Sequence, residues 1–262
     1  MDKIFTALVT LAVLSSIPSE TQAQQVSWKD SYPLAIIDRP LTNPKGMFEL
    51  RGNTVQVNLS KDAEGKPVSL APAIFYGITD EFTIGITTPV NGLCLTGDDG
   101  GCTHVFNDIA VDFQYYAISK GSYLLVPHGG VSFSSFQPAR SEFNLAVLNF
   151  IQFNAWLALF IEPSVSVGLN DRTAAHPDSV NIPFLLGFQV IPKVFLFAAT
   201  GIGGSLYNFS NGYVVPVSAG GWYSFTNRID VGAEFQFTNL TPHDGSGSVD
   251  GRKLYVRLAA RF

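Results

Sequence analysis

The chain ends in Lys253-Leu254-Tyr255-Val256-Arg257-Leu258-Ala259-Ala260-Arg261-Phe262, in which apolar residues occupy every second position. Successive side chains of a β-strand point to opposite faces, so this segment predicts a strand with one wholly apolar face and one basic face. Its ten residues exceed the common strand length of about 5–6 residues. A tilted strand needs roughly 9–11 residues to cross a membrane, and this segment has that length.

The same alternation recurs along most of the chain, and short turns alternate with longer polar loops between the alternating segments. Five short turns and six longer loops predict about twelve strands, with both chain ends on the short-turn side. The expected strands cover residues 46–60, 67–78, 81–95, 105–118, 122–136, 142–154, 156–170, 181–190, 194–208, 213–225, 229–241 and 252–262. In the first strand the apolar parity changes, which predicts a β-bulge near Gly52-Asn53.

Composition agrees with a chain that faces lipid. Hydrophobic residues make up 46% of the sequence and charged residues only 14%, against about 25% charged residues in soluble domains. The most apolar stretch after the N-terminus, residues 145–161, is interrupted by Asn149, Gln152 and Asn154, which disfavours a helical membrane protein. The predicted fold class is therefore all-β, a transmembrane antiparallel up-and-down β-barrel formed by residues 46–262.

The N-terminus has the layout of a secretory signal peptide over residues 1–23, with cleavage between Ala23 and Gln24. An uncleaved N-terminal anchor is the alternative. Cleavage would take Lys+Arg from 16 to 15 and Asp+Glu from 21 to 19, so the mature net charge would be −4. That charge disfavours nucleic acid as a partner.

Residues 24–45 precede the first strand, and the stretch Tyr32–Thr42 within them contains two prolines, Pro33 and Pro40. Proline disfavours both helix interiors and central strands. We expect these residues to form an ordered arm at the periplasmic mouth or in the lumen, with a loose linker as the alternative.

These features resemble the bacterial outer-membrane β-barrel proteins. The likeness rests on the signal peptide, the alternating strands and the terminal Phe262, and it covers nearly the whole mature chain. It implies a location in the cell outer membrane, lipid around the barrel, and recognition of the C-terminal strand with Phe262 by the barrel-assembly machinery. Residues 74–85 also resemble the strand-turn-strand unit of barrels classed as transporters, including the phenol-degradation MetA type.

In such a barrel the polar parity of each strand faces the lumen, so charged lumen residues are the candidate functional residues. By parity these are Glu49, Arg51, Asp108, Asp112, Glu162, Asp230, Glu234, Lys253, Arg257 and Arg261. One interpretation is a charged track that selects a permeating solute. The favoured interpretation is a set of cross-strand ion pairs that stabilise barrel closure, since opposite charges fall on neighbouring strands.

The remaining lumen positions carry mainly small side chains. They are Ala71, Ala73, Gly85, Thr87, Ala110, Gly130, Ser132, Ser134, Ser164, Ser166, Gly168, Gly187, Ser218 and Gly220. Eight strands are just filled by side chains, so twelve strands lined by small residues predict a narrow water-filled space. That favours a channel, unless the N-terminal arm plugs it.

The sequence disfavours a catalytic role. His128 lies four residues before Ser132 on the predicted lumen face, but no acid or amide that would orient it is identifiable. His104 and His243 lie near loop aspartates and could form an acid–histidine dyad. Loop residues of this kind are more often simply solvated. No cofactor and no metal site are expected.

Cys94 and Cys102 flank a long loop in an oxidising compartment, which predicts a disulfide that closes this loop. The expected function is a narrow passive channel for a small solute. The alternatives are a non-transporting barrel that displays loops for adhesion or supports the cell envelope, and, third, an outer-membrane hydrolase.

Overall fold

The structure is a computed structural model that describes residues 28–88, 93–96, 108–136, 139–170, 178–241 and 249–262. Fifteen β segments in these ranges form one antiparallel sheet. They are β1 (Phe48–Asn58), β2 (Val68–Gly77), β3 (Phe82–Thr87), β4 (Leu93–Thr96), β5 (Asp108–Tyr115), β6 (Ile118–Lys120), β7 (Tyr123–Phe136), β8 (Ala139–Asn154), β9 (Leu157–Ile161), β10 (Ser164–Gly168), β11 (Ser179–Ile191), β12 (Val194–Ser205), β13 (Val217–Ser224), β14 (Ile229–Phe237) and β15 (Arg252–Arg261).

The sheet closes on itself as a barrel of twelve strands, because three strands are each interrupted once. β3 continues in β4, β5 in β6, and β9 in β10, and each of these pairs shares a neighbouring strand. Closure comes from β15 and β1, where Glu49 lies opposite Arg261 and Leu50 opposite Ala260. The predicted all-β fold class and its twelve strands are confirmed.

The predicted bulge in β1 is also confirmed. Its pairing with β2 shifts between Arg51 and Thr54. Before the shift Glu49 is buried inside the barrel, and after it Gln56 lies opposite the buried Ser69. The extra residue lets the strand keep its apolar side outward although its sequence parity changes.

The two faces of the wall differ as the alternation requires. Ile229, Val231 and Phe235 of β14 are exposed on the outside, whereas Asp230 and Glu234 are buried inside. Aromatic side chains are exposed around the end with the short turns, as in an interfacial aromatic girdle. They include Phe48, Tyr76, Tyr115, Phe153, Trp156, Tyr223, Phe225 and Phe262. Apolar exposure on this scale agrees with the expectation that lipid surrounds the barrel.

We refer to the end with the short turns and both ends of the barrel-forming chain as the periplasmic end, following the arrangement of outer-membrane barrels. In the described ranges three short helical segments lie outside the sheet: α1 (Trp28–Ser31), a 3₁₀ turn (Ile36–Asp38) and α2 (Phe209–Gly212). Among the residues that the structure describes, no helix is long and apolar enough to cross a membrane.

Candidate functional site

Residues 28–47, which we name the arm, fold into the periplasmic end of the barrel. Ile37 is buried against Phe150 and Ala158 on the inner wall, and its backbone N–H donates to Gln189 Oε1 at 3.2 Å. Met47 is also fully buried. Wall residues that would face water in an open barrel are thus covered by the arm.

Arg39 is the main polar contact between the arm and the wall. Its Nη1 donates to Asp230 Oδ2 at 2.6 Å, and its Nη2 donates to Asp230 Oδ1 at 3.0 Å. Nη2 also donates to Ser224 Oγ at 3.1 Å, while Nε donates to the Pro33 carbonyl at 3.0 Å. The guanidinium therefore joins the wall to the arm's own backbone.

Three predicted lumen charges complete this cluster. Arg261 Nη1 lies 2.7 Å from Asp230 Oδ2, and Arg261 Nε lies 2.9 Å from Glu49 Oε1. Arg51 Nη2 lies 2.8 Å from Glu49 Oε2 on the same strand. We name Arg39, Glu49, Arg51, Asp230 and Arg261 the periplasmic ion cluster.

Tyr32 of the arm packs against this cluster. Its ring centroid lies 5.5 Å from Arg39 Cζ and 5.1 Å from Arg261 Cζ, within the range of a cation–π contact. Burial raises the pKa of the Tyr32 phenol above its ordinary value of 10.0, although the charge of Arg261 opposes that shift. The phenol is thus a neutral partner for the two guanidinium groups.

Nearer the middle of the lumen, on the other side of the barrel, lies a second polar group, centred on His128 of β7. His128 Nδ1 lies 3.5 Å from Asp112 Oδ1, and His128 Nε2 lies 3.4 Å from Glu162 Oε1. Gln114 Nε2 donates to Asp112 Oδ2 at 2.9 Å. Glu162 reaches His128 from the break between β9 and β10. We name Asp112, His128 and Glu162 the lumen triad.

A row of small polar residues continues from the triad towards the extracellular end. Ser166 Oγ donates to Asn144 Oδ1 at 2.6 Å, and Asn144 Nδ2 donates to Ser132 Oγ at 3.1 Å. Ser132 therefore bonds with Asn144, whereas His128 contacts two carboxylates. This arrangement does not assemble the serine–histidine pair of a hydrolase.

The remaining predicted lumen charges lie on β14 and β15. Glu234 and Arg257 form an ion pair across these strands, and Lys253 lies opposite Gln236 in register. Tyr255 Oη donates to Gln236 Oε1 at 2.8 Å. The side chain of Asp108 lies outside the described residues, as do residues 1–27 with Ala23 and Gln24, and the predicted Cys94–Cys102 disulfide. Within the described ranges no group of three or more His, Cys, Asp or Glu side chains has the arrangement of a metal site.

The small lumen residues do not all leave open space, which corrects part of the sequence-based expectation. Aromatic rings from the neighbouring strand cover several of the inward-facing glycines. A Cβ on Gly85 would lie 2.4 Å from the Phe75 ring, and one on Gly220 would lie 2.7 Å from the Phe197 ring. Gly187 is likewise covered by Phe195. These glycines accommodate rings that line the wall, so less of the lumen is free than their size implies.

Sequence reasoning missed Arg39, Tyr32 and Gln189 as parts of the site. Arg39 sits in a segment without strand periodicity, between Pro33 and Pro40. On the wall near the periplasmic end, two arginines (Arg51 and Arg261) already match two carboxylates (Glu49 and Asp230). The strand sequences therefore gave no reason to expect a further arginine from the arm. The two prolines, which stiffen the segment, are the signal that favoured an ordered arm.

Solved structures of outer-membrane channels share this architecture. The chain is similar to a KdgM porin in complex with disordered oligogalacturonate, with a TM-score of 0.58 and 7% identity over 82% of this chain and 99% of the porin. It is similar to a NanC porin, with a TM-score of 0.57 and 10% identity over 81% of this chain and 98% of the porin. An outer-membrane channel from Pseudomonas putida F1 gives a TM-score of 0.56 and 12% identity over 86% of this chain and 98% of the channel.

The chain has the fold of an outer-membrane β-barrel. The comparisons agree with the lipid-facing outer surface and with the location expected from the sequence. At these identities the likeness establishes the fold alone. No protein-family model matches the chain, and no curated protein sequence matches it.

Proposed function

We propose that this outer-membrane barrel is a narrow passive channel for small solutes. The observation that carries the proposal is the contrast between two sets of charged side chains inside one barrel. In the lumen triad, the side chains of His128, Asp112 and Glu162 are 21%, 19% and 41% exposed. In the periplasmic ion cluster, the side chains of Asp230, Glu49, Arg261 and Arg39 are only 1%, 3%, 6% and 7% exposed, and Arg51 is the one member with a larger exposure, of 37%. This contrast supports a water-accessible section in the middle of the lumen and a periplasmic end that the arm covers.

The polar lining of this accessible section supports passage of hydrophilic solutes. The lumen triad and the row Ser132, Asn144 and Ser166 lie on one side of the barrel, and Arg257 lies on the strand almost opposite. Charges of both signs along a lumen attract and orient polar solutes without binding them tightly. The porin-like fold agrees with such passage, since barrels larger than eight strands leave space inside.

Single-channel recording in planar bilayers tests this proposal. The protein would be purified from outer membranes, alongside a variant that lacks residues 28–41. We expect discrete conductance steps, larger or more frequent in the shortened variant, because the arm covers the periplasmic end. If both folded proteins, verified by heat-modifiable mobility in gels, give no conductance at all, the barrel is not a channel and a loop-displaying envelope protein becomes the better explanation.

A further inference from the structure

We propose that residues 28–41 form a releasable plug, which swings out of the periplasmic end about Pro40-Leu41 while residues 42–47 stay fixed to the wall. We name these two parts the plug and the base. The inference rests on the proposed channel function, because a plug matters only if the lumen conducts. The plug adds a gate at the periplasmic end of that channel, and Arg39 is the residue that stabilises the closed state.

The base is fixed by backbone contacts to the turn between β2 and β3. Gly46 N–H donates to the Gly77 carbonyl at 2.8 Å, and Gly77 N–H donates to the Met47 carbonyl at 3.0 Å. Asn43 N–H donates to Thr83 Oγ1 at 2.8 Å, and Lys45 N–H donates to Asp80 Oδ1 at 2.8 Å. The two bonds with Gly77 continue the sheet, and the other two tie the base to side chains of β3 and of the turn, so the base behaves as part of the wall.

The plug has no such ladder, and its hold on the wall depends on side chains. Its contacts with the wall include the Arg39–Asp230 ion pair, the Ile37 N–H bond to Gln189, and the packing of Ile37 and Leu41 near Phe150. Arg39 also bonds the carbonyls of Pro33 and Leu34, so it ties the plug into one compact unit. A compact unit held by side-chain contacts and not by a strand ladder can leave as a whole.

Charge balance in the periplasmic ion cluster favours release. The wall supplies two arginines, Arg51 and Arg261, and two carboxylates, Glu49 and Asp230, and these four already pair with one another. Arg39 from the plug adds a third positive charge. When the plug leaves, each wall carboxylate keeps an arginine partner, so the wall is not left with the unpaired buried charge that usually makes the breaking of a buried ion pair costly. Arg39 itself gains water.

The same geometry explains why the closed state is populated. Asp230 receives both guanidinium N–H groups of Arg39, at 2.6 and 3.0 Å, and this two-point geometry is the strongest arrangement of an arginine and a carboxylate. Ile37, 2% exposed, adds an apolar contact that only the docked plug makes. Docking is thus favourable without irreversible attachment, as a gate requires.

The test measures plug docking and conductance separately. Ile37→Cys is introduced together with Cys94→Ser and Cys102→Ser, and its reaction with a membrane-impermeant maleimide is timed in the purified, folded protein. Arg39→Gln is then added. Asp38→Asn, a change at the exposed neighbouring residue, is the matched control. Folding is checked by heat-modifiable mobility, which R39Q should retain because Asp230 keeps Arg261.

With Arg39 present, we expect slow labelling of the buried cysteine. R39Q should raise the labelling rate about tenfold, the change that a loss of about 1.4 kcal/mol in docking produces. D38N should leave the rate unchanged. In bilayers, R39Q should raise the open fraction towards that of the variant lacking residues 28–41.

Two results would overturn the plug. In the first, R39Q does not change the labelling rate of the cysteine at position 37. In the second, R39Q channels conduct like unmodified channels although the variant lacking residues 28–41 clearly conducts more. A rise in labelling with no conductance in any variant would be a different failure. It would support the plug movement and refute the channel function on which its purpose rests.

Discussion

Arg39 and Asp230 lie 191 residues apart in the sequence and form a bidentate ion pair inside the periplasmic end of the barrel. The same carboxylate accepts a hydrogen bond from Arg261 at 2.7 Å. Asp230 thus joins the N-terminal arm to the C-terminal strand β15 and, through Arg261, to Glu49 of β1. Both ends of the chain meet at one carboxylate.

Asp230→Asn should destabilise the barrel more than Arg39→Gln. The asparagine would leave Arg39 without a carboxylate partner and Arg261 with Glu49 alone, whereas R39Q leaves Asp230 with Arg261. Breaking a buried pair by removing one partner costs about 3–5 kcal/mol, so we expect a loss of that size for D230N and a smaller one for R39Q. Urea unfolding in detergent, followed by tryptophan fluorescence, measures both.

Asp62→Asn, in an exposed extracellular turn, serves as the control for loss of a carboxylate. Its unfolding free energy should match that of the unmodified protein within about 0.5 kcal/mol. Equal destabilisation by R39Q and D230N would mean that Arg261 does not hold Asp230 independently, contrary to the observed contact.

Gly77→Ala should weaken the attachment of the base to the wall. A Cβ at this position would lie 2.1 Å from the Pro44 carbonyl oxygen and 2.4 Å from that of Asn43. Both are backbone atoms, so the base would have to move, at a cost of about 1–3 kcal/mol for overpacking. A lower urea midpoint is the expected result. Gly212→Ala is the matched control, since nothing lies within 4 Å of its added Cβ.

The barrel itself could be predicted because its signal is local. The alternation of apolar and polar side chains over a few residues identifies the two faces of each strand. In residues 48–59 the apolar side chains change from even to odd positions, which indicated the bulge that the structure places between Arg51 and Thr54. The pairing of Arg257 with Glu234 followed from parity and from the order of consecutive strands. These features need no knowledge of distant contacts.

The docked arm and the wall aromatics could not be predicted in the same way. The Arg39–Asp230 contact joins a segment without periodicity to a strand near the other end of the chain. Whether a small lumen residue faces water or a ring depends on register, as with Gly220, which lies directly opposite Phe197. No acid partner for His128 was identifiable in the sequence, and it lies between two carboxylates because the break after β9 brings Glu162 to it.

Glu162→Gln should reduce the cation preference of the channel. At the level of the lumen triad two carboxylates, Asp112 and Glu162, face one imidazole, so the local charge is negative in either protonation state of His128. Charges that line a lumen set its ion preference. In a KCl gradient we expect a cation-selective reversal potential for the unmodified channel and a value nearer zero for E162Q.

Glu81→Gln is the matched control for this measurement, because Glu81 is exposed in a periplasmic turn. It should leave the reversal potential unchanged. An anion-selective unmodified channel, or equal shifts from E81Q and E162Q, would contradict control of selectivity by the triad.

Phe262→Ala should lower the amount of barrel assembled in cells while changing the stability of the refolded protein little. The backbone of Phe262 closes the barrel through hydrogen bonds with Phe48, at 2.8 and 3.2 Å, and an alanine retains them. The ring is 62% exposed on the outer surface, so it contributes few contacts to the folded barrel. We propose that the ring acts instead in recognition of the C-terminal strand by the barrel-assembly machinery, before the strand is closed into the barrel.

Phe225→Ala provides the comparison, since its ring is 56% exposed at the same periplasmic end but outside the C-terminal strand. Quantitative heat-modifiable gels of outer membranes should show a several-fold loss of folded barrel for F262A and nearly normal amounts for F225A, with similar urea midpoints after refolding in detergent. Both substitutions remove one ring of the aromatic girdle, but only F262A alters the terminal strand. Equal losses of folded barrel would therefore mean that the effect comes from the girdle and not from recognition of the terminal strand.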